Sequence, residues 1–411
     1  MRKHMRRDAD AIIEASLKAV MPDAAVRRAL QEFTPGKGKI ILVAAGKAAW
    51  QMAKAAADGL GHIDNGIVIT KYGHIKGKIS GIDCYEAGHP VPDENSFLAT
   101  QHALDLVCGL SADDTVIFLL SGGGSALFEK PLISGEELQD ITKQLLACGA
   151  DITEMNTIRK RLSAVKGGKF AETCHPAQIF SIVLSDILGD PLDMIASGPA
   201  YPDSTTCDQA KAIVSKYGLR LSADAKHLLD IETPKKLDNV TTRITGSVRE
   251  LCAAADEKCR ELGYQTVLLT DQLSCEAREA GAFLANIVKT HAGNGKKLAF
   301  IAGGETIVHL TGKGLGGRNQ ELALAAAPGI DGLEGTCVFS IGSDGTDGPT
   351  DAAGGYVDSS TMGALKAKGF DVFRVLQNND AYHALKAVEG LIITGPTGTN
   401  VNDVSVALVS E

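Results

Sequence analysis

No apolar run in the chain approaches the ~20 residues that a helix needs to cross a bilayer, so a spanning segment is not expected. The N-terminus is basic (Arg2, Lys3, Arg6, Arg7), yet no apolar core follows it. Asp8 to Val20 reads instead as an amphipathic helix, which argues against a secretory signal. The nine cysteines are odd in number, scattered, and contain no Cys-x-x-Cys. That disfavours a disulfide framework or a structural zinc and suits a reducing cytosol. Cys108, Cys148 and Cys337 lie in helix-like or strand-like runs, the pattern of packing residues rather than of a nucleophile. The histidines show no ligand spacing, so no zinc site is expected. A G-x-S-x-G elbow is missing, which speaks against an α/β-hydrolase. At a formal net charge of −9 the chain also lacks the basic excess of a nucleic-acid binder. Any anion it binds must be met by locally concentrated Lys and Arg.

What is present is a chain of 411 residues, 44% hydrophobic and 22% charged, too long for one ordinary core. Strand-like and helix-like runs alternate, the pattern of helices covering mostly parallel sheets. The predicted strands of the first half are Lys39 to Ala44, Gly66 to Thr70, Ile82 to Glu86, Thr115 to Leu120 and Ile179 to Ser185. The polar, aperiodic stretch Ile231 to Asn239 reads as a linker. The expected domains are therefore residues 1–235 and 236–411, and Thr241 to Thr245 would open the second. Gly303 and Gly304, just after Ala302, turn Lys297 to Ile301 into Glu305 to Leu310, a hairpin signal that makes the second sheet mixed.

Three glycine-rich polar loops punctuate the C-terminal third: Gly312 to Glu321, Ser343 to Gly355 and Thr394 to Asp403. Glycine lets backbone N–H groups approach a ligand, and the interspersed charges can hold a metal or a phosphate. Gly312, Gly314 and Gly317 fit G-x-G-x-x-G loosely, but Arg318, Asn319, Gln320 and Glu321 then occupy the turn where a dinucleotide fold packs small residues. A fixed guanidinium beside N–H donors suits a phosphoryl group better. Asp344, Asp347 and Asp351 are three carboxylates in one loop without EF-hand spacing, which fits magnesium held by one or two carboxylates plus phosphate oxygens. Thr397 and Asn400 are short hydrogen-bonding groups suited to a ribose, a phosphate or a small hydroxy acid.

The first half offers four more segments. Ser121, Gly122, Gly123, Gly124 and Ser125 follow a buried strand and can form an anion nest, although a tight turn would look similar. Gly46-Lys47 stands where a strand meets a helix but is no Walker A loop; Lys47 either reaches a phosphate or carboxylate or decorates the helix. Met155 to Ala171 gathers Arg159, Lys160, Arg161, Lys166 and Lys169, either an anion site or a solvated face. Asp186 lies at a strand's carboxyl end, a place for a metal or a general base, or for an Asx turn.

Taken together these segments resemble the bacterial-type glycerate 2-kinases, the family with a C-terminal MOFRL domain. The resemblance rests on residues 45–47 (AGK), 88–96 (GHPVPDENS), 121–127 (SGGGSAL), 156–168 (NTIRKRLSAVKGG), 185–199, 303–306 (GGET), 316–321 (GGRNQE), 343–354 and 394–403, which span nearly the whole chain. It implies two α/β/α three-layer domains, the first Rossmann-like with a parallel sheet and the second with a mixed sheet, and an active-site cleft between them. It implies transfer of the ATP γ-phosphoryl group, with Mg2+, to the 2-hydroxyl of D-glycerate. It also implies that Lys47 and Arg318 take part in activity, with Asp186 orienting the acceptor hydroxyl. Substrate or phosphate contacts are expected from Ser121 to Ser125, Arg159, Lys166, Glu305, Asn319, Thr397 and Asn400, and metal contacts from Asp344 and Asp351. Partners are then small molecules, with neither nucleic acid nor membrane, in the cytoplasm; a homodimer is the assembly left open. Members have also been labelled hydroxypyruvate reductases, so an NAD(P)H-dependent reductase is the alternative, and a non-catalytic sensor of an anionic metabolite is a third.

Overall fold

The computed structural model describes residues 2–410. The chain divides into two compact units, Ala25–Thr245 and a second made of Met1–Ala24 with Gly246–Glu411.

The first unit is built on β1 (Ile40–Ala45), β2 (Asn65–Lys71), β3 (Ile82–Ala87), β4 (Thr115–Leu120), β5 (Gln178–Leu184) and β6 (Val240–Gly246), in the order β3-β2-β1-β4-β5-β6. The pairings β3–β2, β2–β1, β1–β4 and β4–β5 are all parallel. β4 is buried along its whole length, as its unbroken TVIFLL run predicts. Its alternation serves two cores at once. Val116, Phe118 and Leu120 join Ile41 and Val43 on one face, while Ile117 and Leu119 join Leu42 and Ala44 on the other. Phe118, Phe128 and Phe170 form a ring cluster with centroids 4.6–5.7 Å apart on the first face. The chain winds outward from β1 to β3, then returns to β4 on β1's other side. The β1/β4 boundary is thus a topological switch point, where the two connections leave in opposite directions and open a crevice at the carboxyl ends.

β6 corrects the expected boundary. Thr241 to Thr245 does not open the second unit but completes the first sheet beside β5. The polar stretch before it is pinned rather than free. Thr233 donates to Asp203 (2.8 Å), and the Asn239 amide donates to the carbonyls of Ala171 and Ala177.

The second unit has the order β11-β10-β9-β12-β8-β7, with β7 (Gln265–Leu273), β8 (Leu298–Gly304), β9 (Thr336–Gly342), β10 (Gly354–Asp358), β11 (Leu391–Ile392) and β12 (Asp403–Val409). β7 and β8 are parallel, whereas β12 is antiparallel to both β8 and β9. The sheet is mixed as expected, but for another reason. No hairpin forms at Gly303-Gly304, because both residues lie within β8. A Cβ on Gly304 would fall 2.1 Å from the Leu273 carbonyl oxygen, and one on Gly303 would fall 2.3 Å from Cys252 Sγ. These glycines permit close packing, not a turn. The N-terminal helix Arg2–Ala19 also belongs here. It buries Met5, Ala9, Ile12 and Ile13, and its Asp8 accepts from the Tyr264 hydroxyl at 2.7 Å.

Candidate active site

In the first unit three strands deliver chemistry to the switch point. After β1, Gly46 (φ 128°) turns the chain so that Lys47 N–H donates to the Gly122 carbonyl (2.9 Å) and Ala48 N–H to Ser121 Oγ (3.1 Å). After β4 comes the loop from Ser121 to Ser125. A Cβ on Gly122 would lie 2.3 Å from Asp186 Oδ2, so only glycine lets the carboxylate that follows β5 approach this backbone. A Cβ on Gly123 (φ 86°) would lie 3.1 Å from His89 Nε2 and 3.2 Å from Lys47 Cγ. A cavity of about 240 Å³ results, lined among others by His89, Gly122, Ser125, Arg159 and Asp186.

The basic run of residues 155–171 divides by burial. Arg159 alone of its five cations lines the cavity, and its Nη2 donates to the Ser125 carbonyl at 3.0 Å. Lys166 is placed otherwise than expected. It is fully buried behind the loop, holding the carbonyls of Ser125 (2.8 Å) and Phe128 (3.1 Å) and paired with Glu129 at 3.2 Å. Burial pulls its ammonium down to about 8, although Glu129 opposes the shift. Lys160 pairs with buried Asp203 at 3.0 Å, and Lys169 caps the carbonyls of Lys160, Arg161 and Ser163. Within the run Lys166 braces the loop, Lys160 and Lys169 are held away from it, and one arginine is left at the cavity.

In the second unit the three glycine-rich loops interlock at one end of the sheet. Arg318 opens the helix Arg318–Ile330. Its Nε and Nη2 meet the two Asp403 oxygens at 2.5 and 2.9 Å, and its Nη1 lies 3.3 Å from Glu305. Glu305 in turn accepts from the Asn402 amide at 3.1 Å. Asp403 starts β12 opposite Gly304 and Gly342, so the ends of β8, β9 and β12 converge on this arginine. Burial pushes Asp403 up to about 6 despite the pull of Arg318. The guanidinium, though partly buried, is held more firmly charged by Asp403 and Glu305.

Several predicted ligand groups turn inward here. Asn319 is buried, accepting from Ser340 Oγ (2.5 Å) and donating to Asp347 (3.4 Å), so it fixes the helix start instead of facing a ligand. Thr397 donates to the Ser343 carbonyl at 2.6 Å, tying the third loop to the second. The Asn400 side chain accepts from Asn402 N–H at 3.4 Å, a turn contact. Asp347 caps the helix through the N–H groups of Asn319 (3.2 Å) and Gln320 (2.8 Å).

The two proposed metal carboxylates have different surroundings. Asp344 Oδ1 accepts from Thr346 N–H and, with Asp403 Oδ1, lies within 3.4 Å of the point a Gly342 Cβ would occupy. Asp351 is exposed and takes the Tyr382 hydroxyl at 2.7 Å. Among the described residues no group of three or more His, Cys, Asp or Glu could hold a metal unaided. Asp344 fits the one-or-two-carboxylate role in which phosphate oxygens and water complete the shell; Asp351 fits it less well. The loose dinucleotide pattern loses its support. Gly312 and Gly314 give their N–H groups to Asn379 Oδ1 and the Asn378 carbonyl, so these amides serve the chain itself.

Two family models match: a domain of unknown function (DUF4147) over residues 8–230 and the MOFRL family over residues 298–403. A Thermotoga maritima protein named D-glycerate 2-kinase is 53% identical over 405 residues, 97% of each chain. A Pyrococcus horikoshii glycerate 2-kinase is 43% identical over 91% of this chain and 88% of its own. The crystal structure of the Thermotoga maritima glycerate kinase superposes with a TM-score of 0.95 at 51% identity, covering 99% of this chain and 100% of that one. The chain belongs to the glycerate 2-kinase family. Within that family the hydroxypyruvate reductase name appears on relatives of lower identity, 39% and 37%.

For this glycerate 2-kinase relative, two side chains at the sites were not among the expected ones: Asp403, which closes the third glycine-rich loop and grips Arg318, and His89. His89 lies in the GHPVPDENS segment that carried part of the resemblance, yet a histidine in a turn has no pattern that points to a ligand. Only its approach to Gly123 and Lys47 does so.

Proposed function

We propose that the protein transfers the γ-phosphoryl group of ATP to the 2-hydroxyl of D-glycerate, giving 2-phosphoglycerate and ADP. The observation that carries this reading is the 53% identity to a D-glycerate 2-kinase across 97% of both chains. The site chemistry supports it. Phosphoryl transfer asks for positioning and charge neutralisation rather than covalent help. In the first unit the Gly122 to Ser125 backbone and Arg159 line a cavity sized for a small anion, and the Lys47 stem stands beside Gly123 at its edge. Asp186, at the same cavity, orients the acceptor hydroxyl. In the second unit Arg318 neutralises charge on the phosphoryl group, and Glu305 and Asp403 hold its guanidinium in place. Asp344 is the residue that would hold Mg2+, which when bound neutralises nucleotide phosphate charge. The cysteines are all free, which suits the cytoplasm.

The test is direct. Pure protein with ATP, Mg2+ and D-glycerate should release ADP in step with glycerate consumed, and should leave NADH untouched when given hydroxypyruvate. ADP release that does not depend on glycerate, or NADH oxidation, would refute the reading.

A further inference from the structure

His89 follows β3 in a turn that is held rigidly. A Cβ on Gly88 would lie 2.5 Å from the Val91 carbonyl oxygen and 3.0 Å from Asp93 Oδ2. Asp93 caps the helix Glu94–Val107 through Ser96 N–H (3.0 Å) and takes the Tyr72 hydroxyl (2.7 Å). The turn therefore fixes where the imidazole stands. Its Cδ2 and Nε2 lie 3.0 and 3.1 Å from the point a Gly123 Cβ would occupy, beside the Lys47 stem. The ring thus forms part of the cavity wall, with Asp186 and Arg159 among the other lining groups. No described residue hydrogen-bonds the ring, so its nitrogens are open to a ligand. Desolvation, then Lys47, Lys71 and His74, hold the imidazole below its ordinary value, so it stands neutral at physiological pH.

We propose that His89 is the general base of the reaction, its Nε2 accepting the proton of the acceptor hydroxyl. The inference rests on the kinase reading above. The hydroxyl oxygen bonds to the γ-phosphorus as the bond from that phosphorus to the β–γ bridging oxygen breaks, and ADP leaves with the electron pair. The hydroxyl proton passes to the imidazole, and the imidazolium returns it to water after the product departs. A neutral base suits this cavity better than a carboxylate does, because it adds no negative charge beside an anionic acid and a triphosphate. Asp186 keeps the orienting role.

Because His89 is a partly exposed loop residue, His89→Ala is expected to fold. Its kcat should fall about 100-fold, with KM for D-glycerate changed by less than about threefold. Added imidazole should restore a substantial part of the rate, in proportion to its free-base fraction, which a merely structural role would not produce. His89→Gln should lose the same activity without being rescued. Should His89→Ala not fold, His89→Gln alone decides by its kcat. Either folded variant within about threefold of wild-type kcat overturns the assignment, as does a His89→Ala loss that imidazole leaves untouched. Wild-type protein runs in parallel: if it fails to phosphorylate D-glycerate, the kinase reading itself has failed, whatever the variants do.

Discussion

At the residue scale, the second unit's site turns on one arginine held between two carboxylates. Arg318 gives Asp403 a two-pronged contact that lysine cannot reproduce. Arg318→Ala should lower kcat on the order of a thousandfold, and Arg318→Lys should recover little of it; near-normal turnover in either variant removes the arginine from the mechanism. Asp403 carries a separate expectation. Its folded value, about 6, lies above the ordinary 3.8 because burial outweighs the arginine. The folded state therefore binds this proton more tightly than the unfolded chain does. That stabilisation is fully present below the unfolded value and is lost as pH rises through about 6. Urea unfolding should show the wild type losing about 2 kcal/mol relative to Asp403→Asn between pH 4 and 7. A gap that does not vary with pH would contradict the assignment.

At the scale of elements, the loop from Ser121 to Ser125 is positioned from behind by a charge that never reaches solvent. Lys166 is matched by Glu129, itself fully buried. Lys166→Met leaves that carboxylate with Arg159 alone, 3.8 Å away, and should cost about 3 kcal/mol; adding Glu129→Gln should return much of it, which thermal melts of the single and double variants would register. No recovery in the double variant would mean that the lost carbonyl contacts, not the pair, carry the effect. The same elements show what the sequence made legible. Buried strands such as β4 declared themselves through continuous apolar runs, and the glycine loops through residues no simple turn requires. The inward roles of Lys166, Asn319 and Thr397 were not legible, because a cation or amide that braces a loop reads locally like one that meets a ligand. Gly303-Gly304 misled for a related reason. A glycine pair signals a turn locally, but here it accommodates Leu273 and Cys252, partners distant in sequence.

At the scale of the whole molecule, the order of the chain and the composition of its units differ. Alternating strands and helices announced two α/β bodies, but nothing local told that Arg2–Ala19 is built into the second. Its apolar face looks like that of any amphipathic helix, and its partners Tyr264 and Lys297 lie far along the chain. Removing residues 1–24 should therefore destabilise the C-terminal unit selectively. Faster amide exchange in Val248–Glu261 and β9, with little change in β1 and β4, is the expected pattern; uniform or N-terminal loosening would contradict it. A 2-kinase is defined by the position of the new phosphate ester. Phosphorus NMR of the product formed from ATP, Mg2+ and D-glycerate is the most direct measurement. A single ester signal split by one proton is expected, as a phosphate on carbon 2 requires, absent with Arg318→Ala. A signal split by two protons, placing the phosphate on carbon 3, or no ester from the wild-type protein, would contradict it.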